Sequence, residues 1–517
     1  MTLIIDLRLP RSAPRLWQLR LMQRLATGGD RLVRMIWTEQ KAPTESCVEL
    51  LFALERMIFG ASGPTLASTI PPEDFPRVSG EPEGQADLTL DFCGVGGEEA
   101  GTIWNVTFDG EFGDFGVLGA LLAGNFPVIE ISDAVSGRLV ASGRAGSESA
   151  KGLLGDFESV LSRAVALIVA AIEGRASSPS LGRERVFRRG CAATARFQLL
   201  SMARAVRHRL YNLCCYAPHW RVGWRFVDGP DVIDLGRHPE SGWTNLPDDV
   251  VHFYADPFPF EWKDRMFLFV EDFDHRLGRG VISVVEFDER GPRHAPRPVL
   301  DIEVHLSYPF VFEHAGEIWM IPESLGRRSI DLYRAETFPG RWSLESTLVA
   351  DIAASDATLL KQGGEWWMMA TVQEDPLGSW SDALYLWRAP TPLGPWIAHK
   401  GNPVLVDIAS ARPAGRVVRR GGRLVRPVQD CRGGYGAALA LATITRLDED
   451  AFEQRIDARI CPGPLWPGRR LHTLNRAGRL ECIDGSANAF KLQRGLRWLD
   501  RAREGRDAQL GDAAALG

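Results

Sequence analysis

The chain has 517 residues, more than one hydrophobic core usually organises, so the sequence predicts at least two domains. Hydrophobic residues make up 45% and charged residues 24%, as in ordinary globular proteins, and the formal net charge is -6. This weakly acidic balance argues against a polyanionic partner, and we therefore expect no nucleic acid binding.

The N-terminal third alternates helical patterns with short apolar runs, which is typical of an α/β domain. Strands are predicted at 3–7, 31–37, 87–92 and 127–131, and helices at 16–25 and 156–172. The most apolar stretch, Val165 to Ile172, is too short to span a bilayer, for which about 20 residues are needed. We expect a buried helix there, inside an α/β domain over residues 1–175.

Residues 176–215 are rich first in Ser, Pro and Gly and then in arginine, which predicts an inter-domain linker. The arginines of this segment include Arg183, Arg185, Arg188, Arg189, Arg196, Arg204, Arg207 and Arg209. One interpretation is a solvated amphipathic helix. The other is a peripheral contact with an anionic membrane face, which would suit a lipid-linked substrate.

The eight cysteines form no CxxC pair and show no spacing typical of disulfide bonds, so we expect no disulfide and a reducing, cytoplasmic location. The N-terminus lacks a basic stretch followed by an apolar run, and no secretory signal is expected. The ten histidines are scattered and match no metal-binding motif. Neither a metal nor a cofactor is predicted.

Beyond Trp220 the pattern changes to short β-runs separated by Gly, Pro and Asp turns, in a unit of roughly 50 residues. Four units are recognisable, and they begin near Asp256, His305, Asp356 and Arg412. A fifth would combine residues 472–475 with a strand at 220–226, closing a ring without exposed edges. The sequence thus predicts an all-β five-bladed propeller over 216–490, followed by a C-terminal tail over 491–517.

In a propeller the innermost strand of each blade lines the central channel, so the polar residues that begin the units should converge there. The second strands of three units end in further charged groups, Glu271, Glu323 and Arg426. Burying so many charges without a ligand would cost several kcal/mol. We therefore predict a ligand-binding pocket on the axis.

Five motifs of this region resemble those of a known family. They are Ala-Asp-Pro-Phe at 255–258, His-Leu-Ser-Tyr-Pro-Phe at 305–310, Ile-Pro-Glu-Ser at 321–324, Ala-Arg-Pro-Ala-Gly at 411–415 and Arg-Pro-Val-Gln-Asp-Cys at 426–431. Together they resemble the propeller module at the N-terminus of plant glucosamine inositolphosphorylceramide transferases and in bacterial polysaccharide-cluster proteins. That module is similar to the propellers of family 43 glycoside hydrolases. The resemblance, which runs from Trp224 to about Asp484, implies a bacterial relative of this module.

The similarity to family 43 implies roles for individual residues. Those hydrolases use a base Asp in the first blade, a second Asp in the second and a Glu acid in the third, and inverting chemistry needs carboxyls about 6.5–9.5 Å apart. Asp256 matches the base. Ser307 and Tyr308 take the place of the second Asp, and Asp356 that of the Glu. The resemblance therefore favours recognition or transfer of a glycosyl group over hydrolysis.

The candidate site residues follow from the repeat and the resemblance together. The catalytic candidates are Asp256, Glu323 and Asp356, and the substrate-binding candidates are Glu271, His305, Tyr308, Arg412, Arg426, Gln429 and Asp430. Two arginines could clamp a phosphate or carboxylate. The alternatives are a buried ion pair of Arg412 or Arg426 with Asp430 or Glu323, a turn at Asp256, a core position for His305 and a rim position for Glu271.

Residues 101–131, with Asn105, faintly resemble formyltransferase-like domains. Active members of that class place a His shortly after the Asn, but residues 1–189 contain no histidine. The resemblance therefore implies a degenerate formyltransferase-like scaffold, or a domain that binds a nucleotide sugar.

The leading hypothesis is a carbohydrate-active enzyme of polysaccharide or glycolipid biosynthesis. It would be a glycosyltransferase that takes a sugar nucleotide or glycoconjugate substrate and holds the sugar in the propeller channel. The alternatives are a glycoside hydrolase of family 43 type and a non-catalytic glycan-binding module.

Overall fold

The computed structural model describes residues 2–12, 14–28, 30–39, 46–60, 63–76, 84–95, 101–147, 151–175, 179, 181–183 and 187–492. Within these residues a mixed α/β domain is followed by five β-sheets arranged in sequence. No helix of the described part of the chain is both long and apolar enough to cross a membrane.

A seven-stranded mixed sheet forms the centre of the N-terminal domain. In chain order its strands are Leu3–Pro10, Arg31–Thr38, Leu88–Asp91, Thr102–Phe108, Glu111–Phe112, Val128–Asp133 and Leu139–Arg144. The spatial order is 2-1-3-4-6-7, with the fifth strand paired to the fourth. The first four strands pair in parallel and the remainder antiparallel, so the parallel part needs helical crossovers. The four predicted strands are confirmed.

Six helices lie in the described residues. They are α1 (Leu16–Ala26), α2 (Ser46–Phe59), α3 (Asp114–Ala123), α4 (Gly152–Ile172), α5 (Gly190–Cys214) and α6 (Val232–Leu235), with 3-10 turns at Pro72–Asp74 and Leu325–Arg327. The predicted helices α1 and α4 are confirmed. α4 is buried along most of its length because it packs against α1, α2 and α3 as well as the sheet.

A disulfide bond joins Cys47 of α2 to Cys191 of α5. The expectation of no disulfide is therefore wrong. The two cysteines are 144 residues apart in the sequence, and only the packing of α2 against α5 brings them together. A spacing rule cannot find such a pair. The other six cysteines form no disulfide bond.

The five sheets of the C-terminal part are the blades of a propeller. Blade 1 comprises His252–Trp262, Arg265–Asp274, Arg279–Asp288, Gly291–Pro292 and Arg297–Leu300, and blade 2 comprises Ser307–His314, Glu317–Glu323, Ile330–Thr337 and Arg341–Val349. Blade 3 comprises Ala354–Gln362, Glu365–Val372, Ala383–Ala389, Ile397–Ala398 and Leu405–Val406, and blade 4 comprises Val418–Arg420, Arg423–Asp430, Ala438–Leu447 and Phe452–Ile460.

Blade 5 is built from both ends of this region. From the inside outwards its strands are Leu474–Ala477, Leu480–Ser486, Trp220–Phe226 and Thr244–Asn245. Cys215–Tyr216 also pairs with Ala489–Phe490, so a second short sheet joins the same two ends. The predicted five-bladed propeller and its closure by residues near 220–226 are confirmed.

Apolar side chains fill the spaces between neighbouring blades. Phe258 and Phe269 of blade 1 belong to the same core as Phe310 of blade 2 and Leu359 of blade 3. Separate cores join blade 3 to blade 4, blade 4 to blade 5 and blade 5 to blade 1. The blades therefore form a closed ring of layers around one axis.

The first strand of blade 4 differs from the prediction. The repeat places it at residues 411–416, but the structure places it at Val418–Arg420. Residues 411–416 form only an isolated bridge between Pro413 and Val428. Proline has no N–H to donate to the ladder, and Gly415 has a positive φ of 137°, so this segment does not extend into a regular strand.

Ion pairs fix the N-terminal domain against blade 3. Arg163 of α4 donates to Asp382 Oδ1 at 2.7 Å and to Glu374 Oε2 at 2.6 Å. Asp382 Oδ2 also accepts the backbone N–H of Gly146 at 3.0 Å. Both Arg163 and Asp382 are buried, so the two domains share a desolvated contact.

The predicted boundaries of the domains stay predictions. The linker expected over 176–215 includes α5, while residues 176–178, 180 and 184–186 lie outside the described residues. The tail expected over 491–517 lies outside them from residue 493 onwards.

Candidate functional site

The innermost strands of blades 1 to 3 each contain a bulge at the equivalent place. The pairing register shifts between Ala255 and Phe258, between Ser307 and Phe310, and between Ser355 and Thr358. Inside each bulge one residue has a positive φ, namely Asp256 at 48°, Tyr308 at 45° and Asp356 at 58°. A left-handed conformation costs a non-glycine residue about 1 kcal/mol or more, and bulges redirect side chains.

Asp256 connects blades 5, 1 and 2 through hydrogen bonds. Its Oδ1 accepts a hydrogen bond from Thr473 Oγ1 at 2.6 Å, and its Oδ2 accepts one from the backbone N–H of Tyr308 at 3.2 Å. Its own N–H donates to Asp484 Oδ2 at 3.0 Å. Burial raises the pKa of Asp256 to about 6; the charge of His472 opposes this shift and that of Asp484 adds to it.

His472 lies between the two acids of this group. Its Nδ1 is 2.6 Å from Asp484 Oδ2, its Nε2 is 3.9 Å from Asp256 Oδ1, and its ring stacks on Trp220 at 3.9 Å between centroids. Burial alone would lower the pKa of His472, but Asp484 and Asp256 outweigh it and raise the pKa. The arrangement favours an imidazolium held between carboxylates.

Asp256, His472 and Asp484 are also the residues of the described chain whose ligand atoms could hold a metal ion, because these atoms lie within 4.8 Å of one another. However, the contact of 2.6 Å between His472 Nδ1 and Asp484 Oδ2 is that of a charge-assisted hydrogen bond. We therefore interpret the group as a hydrogen-bonded cluster.

Asp356 is the centre of a second group, in blades 2 to 4. Its Oδ2 accepts hydrogen bonds from Arg412 Nε at 2.6 Å and Gln429 Nε2 at 3.0 Å, and its N–H donates to Glu323 Oε2 at 3.0 Å. Arg412 Nη2 lies 3.5 Å from Glu323 Oε2 and its guanidinium packs over the Tyr435 ring. Burial raises the pKa of Asp356 to about 7, opposed by Arg412 and assisted by Glu323.

The second strands contribute a further set of side chains beside the bulges. Glu271 pairs with Ala255, Glu323 with Ser307 and Thr371 with Ser355, so these three occupy equivalent positions. Burial, then the charge of Asp256, raises the pKa of Glu271 well above its usual value. His305 Nδ1 accepts the N–H of Gly280 at 2.8 Å, which leaves Nε2 to face Glu271 Oε1 at 3.5 Å.

Three hydroxyl groups next to these residues have no hydrogen-bond partner within the described part of the chain. They belong to Ser324, Ser355 and Thr371, which are all at most 2% exposed. Buried polar groups are nearly always paired with protein or water, so unsatisfied ones indicate a place for water or a polar ligand.

Aromatic rings lie beside the two groups. Phe273, His305 and Tyr435 are partly exposed, whereas Trp220 is buried. The centroids of Phe273 and His305 are 5.9 Å apart, and Tyr435 lies 5.3 Å from His472 and 6.0 Å from Trp220. Partly exposed rings therefore lie directly beside the buried charges.

We call the two groups together the axial cluster: Asp256, Glu271, Glu323, Asp356, Arg412, Gln429, His472 and Asp484. The prediction that Asp256, Glu323, Asp356 and Arg412 converge is confirmed by the contacts between them or through their shared neighbours. The exposure of Glu271 and of His305 also differs from the alternatives considered for them. Glu271 is 7% exposed and the His305 side chain 40%, so the rim position of Glu271 and the core position of His305 are wrong.

Asp430 and Arg426 lie apart from the axial cluster. Asp430 pairs with Arg432 at 2.8 Å and with Arg459. Arg426 donates to the carbonyl of Ala411 at 2.6 Å and to Gln454 Oε1 at 2.9 Å, and burial lowers its pKa to about 9. The predicted ion pair with Glu323 or Asp430 is thus confirmed for Arg412 and wrong for Arg426.

Two cavities open away from the axial cluster. One, of about 670 Å³, lies between blades 3 and 4 and a group formed by Gly174, Arg175, Pro179 and Leu181. The other, of about 580 Å³, lies between α1, α4 and the 375–377 loop. No residue of the axial cluster lines either cavity.

Sequence reasoning did not name His472, Thr473, Asp484, Trp220 and Tyr435 as site residues. The repeat carried a signal for two of them, because His472 and Thr473 begin the fifth unit as Asp256 begins the first. Asp484 similarly lies near the end of a second strand, as Glu271 and Glu323 do. Tyr435 lies in a loop, for which the repeat makes no prediction.

These elements define a five-bladed β-propeller with a buried, charged cluster near its axis. Residues 245–480 match the sequence profile of the family described as Glucosamine inositolphosphorylceramide transferase 1, N-terminal. The chain is 36% identical over 252 residues to Glucosamine inositolphosphorylceramide transferase 1 of Oryza sativa subsp. japonica, which covers 47% of this chain and 33% of that protein. It is 32% identical over 281 residues to the Arabidopsis thaliana protein of that name, covering 49% and 36%. The chain thus spans about a third of the length of these relatives.

Solved structures are similar at lower identity. Zg3597, a family 117 glycoside hydrolase of Zobellia galactanivorans, has a TM-score of 0.34 and 12% identity, covering 48% of this chain and 77% of that one. A GH43_1 enzyme from Xanthomonas citri has a TM-score of 0.31 and 11% identity, covering 44% and 80%. The propeller assignment depends on the strand topology of the chain itself.

Proposed function

We propose that the propeller binds a glycosyl group at the axial cluster and takes part in glycosyl transfer during polysaccharide or glycolipid biosynthesis. The main support for this proposal is the environment of Asp256. Its carboxyl is buried, has a pKa of about 6 and lies in a strained bulge beside His472. Perturbed carboxyls at a built site are typical of acid–base chemistry. The similarity to proteins named as transferases supports transfer as the reaction class.

The proposed substrate is a sugar nucleotide or a glycoconjugate. The unpartnered hydroxyls of Ser324, Ser355 and Thr371 would pair with sugar hydroxyls, and the ring of Tyr435 would stack on an apolar sugar face. Arg412 already pairs with Asp356. Its positive charge therefore neutralises negative charge within the cluster first, and its binding of an anionic substrate group is secondary. The proposal assigns Glu323 and Asp356 to the holding of sugar hydroxyls.

In the proposed reaction Asp256 accepts the proton of the attacking acceptor hydroxyl. With a pKa of about 6 this carboxyl is ionised at neutral pH and still basic enough to take a proton in the transition state. His472 is the positioning residue, because its positive charge keeps Asp256 ionised while Asp484 holds the imidazole in place. The acceptor oxygen forms a bond to the anomeric carbon as the bond from that carbon to the donor's leaving group breaks, and the leaving group departs with the bonding electron pair.

The experiment is to incubate the purified protein with a panel of nucleotide sugars and of plain glycosides, with and without acceptors. Transfer that requires an activated donor supports the proposal. Release of sugar from plain glycosides would instead identify a glycoside hydrolase of family 43 type, and saturable binding without turnover a glycan-binding module. A parallel incubation with EDTA tests the metal-free interpretation of Asp256, His472 and Asp484.

Location and the N-terminal domain are part of the proposal. We propose a peripheral membrane contact through the arginine-rich segment, because a glycolipid acceptor is held in a membrane. The disulfide between Cys47 and Cys191 removes the cysteine argument for a cytoplasmic location, since disulfides persist mainly in oxidising compartments. The cytoplasmic location, the bacterial origin and the formyltransferase-like character of residues 1–175 stay predictions.

A further inference from the structure

Helix α5 exposes most of its surface. It is 25 residues long, and Thr194 is its buried residue. Ala193 and Phe197 pack partly against the core of the N-terminal domain. From Leu199 to Cys214 every residue is exposed or half-buried. This part of the helix gains little from packing within the chain, so its outer face is available to a partner.

The exposed part of α5 carries a continuous apolar stripe. Its members, with their exposed fractions, are Leu199 (68%), Met202 (55%), Val206 (58%), Leu210 (60%) and Leu213 (72%). At about 100° per residue these side chains lie roughly 140° to 220° around the axis from Phe197. Since Phe197 packs on the domain core, the stripe faces away from the protein.

Arginines flank this stripe, and α5 contains no acidic residue although the whole chain has a net charge of -6. By the same helical rotation Arg196 and Arg207 lie along one side of the stripe and Arg209 along the other, whereas Arg204 lies on the packed side. A second copy of this face would bring arginine against arginine. The charge pattern therefore favours an anionic partner over self-association.

Neighbouring elements extend the apolar exposure at both ends of α5. Helix α2, joined to α5 by the disulfide, exposes Leu50, Leu54, Met57 and Ile58 at helical spacing. At the other end Phe490 and Leu492 are 47% and 80% exposed, and Lys491 Nζ donates to the carbonyl of Asn212 at 2.6 Å. Scattered exposed apolar residues are ordinary, but an aligned set next to cations is typical of interfacial helices.

We propose that α5 lies in the surface of an anionic lipid bilayer, with its apolar stripe in the acyl boundary and Arg196, Arg207 and Arg209 among the headgroups. This inference rests on the proposed function and assigns its membrane contact to helix α5. It does not depend on sugar transfer, because α5 contributes no residue to the axial cluster.

The test is sedimentation of the full chain with vesicles of phosphatidylcholine alone or mixed with phosphatidylglycerol, without any sugar. The protein should bind the anionic vesicles and be released by high salt. The double variant Arg207→Gln, Arg209→Gln should weaken binding about 30-fold, because each surface arginine contributes about fivefold. The double variant Val206→Ser, Leu210→Ser should also reduce binding, and both variants should fold because these positions are exposed.

Matched control variants distinguish binding through α5 from non-specific binding of the protein to vesicles. Arg237 and Arg341 have side chains 70% and 78% exposed, and Leu277 and Ile397 are 65% and 53% exposed, all on the propeller. Their Gln or Ser variants should bind vesicles like the original chain, and so should Asp256→Asn. Equal binding to neutral and anionic vesicles, no binding, or an effect of the α5 variants on oligomeric state alone would overturn the proposal.

Discussion

Asp256 and its immediate partners show how single residues prepare the proposed chemistry. The carboxylate accepts two hydrogen bonds and its N–H gives one, so all three contacts hold it in a left-handed bulge. Aspartate tolerates this conformation better than most residues because its short polar side chain bonds locally. The sequence predicts Asp256 as a candidate from its place in the repeat, but His472 and Asp484 come from the other end of the ring.

Replacement of Asp256 by Asn should lower glycosyl transfer by about 100-fold or more, because a general base contributes at least that factor. The variant keeps the size of the side chain and removes its basicity. Turnover with a nucleotide sugar measures the effect. Asp264→Asn is the matched control, since Asp264 also has a positive φ but is exposed in a turn, and its turnover should not change.

The rate of transfer should rise with pH through a midpoint near 6, because burial raises the pKa of Asp256 to about 6 and the base works only when ionised. His472→Asn removes a positive charge that lowers this pKa. The midpoint should therefore move to higher pH in that variant. A pH profile of kcat/KM from pH 5 to 8 measures the shift, and an unchanged midpoint would argue against the positioning role of His472.

At the scale of elements, the blades are predictable and the bulges are not. Alternating apolar runs with turn residues repeat along the chain, and this pattern predicts the strands and the closure at 220–226. The positive φ of Tyr308 has no such signal, because aromatic residues rarely adopt it. The same limit explains blade 4, where Pro413 and Gly415 displace the strand from its expected place.

Tyr308→Phe should destabilise the propeller by about 1–3 kcal/mol, the usual cost of leaving a buried donor unsatisfied. The Tyr308 hydroxyl accepts the N–H of Gly415 at 2.8 Å and shares a hydrogen bond of 2.8 Å with Thr358. The hydroxyl therefore ties blade 2 to blades 3 and 4. Urea unfolding followed by tryptophan fluorescence measures the change, and an unchanged unfolding free energy would show that water replaces the hydroxyl.

For the whole molecule, the N-terminal domain packs on the same face of the propeller that carries the axial cluster. Ala354 pairs with Val372, so the loop from 373 to 382 leaves blade 3 at the end where Asp356 lies. This loop contains Glu374 and Asp382, which bind Arg163 of α4. The contact joins residues more than 200 positions apart, and the sequence alone could not predict it.

Arg163→Met should destabilise the contact between the domains by about 3–5 kcal/mol, because it leaves the buried Asp382 without the Arg163 cation. Scanning calorimetry should then separate unfolding of the N-terminal domain from that of the propeller. Arg341→Met, which removes an exposed ion pair with Glu336, is the control and should leave the thermogram unchanged. A single unshifted transition in Arg163→Met would contradict the prediction.

The closure of blade 5 means that the residues of the axial cluster are synthesised at widely separated times. Asp256 leaves the ribosome more than 200 residues before Thr473 and Asp484, with which it forms two of its three hydrogen bonds. A nascent chain that stops short of residue 484 lacks the carboxylate that accepts the N–H of Asp256. The proposed base therefore obtains its full set of hydrogen bonds only when Leu480–Ser486 pairs with Trp220–Phe226.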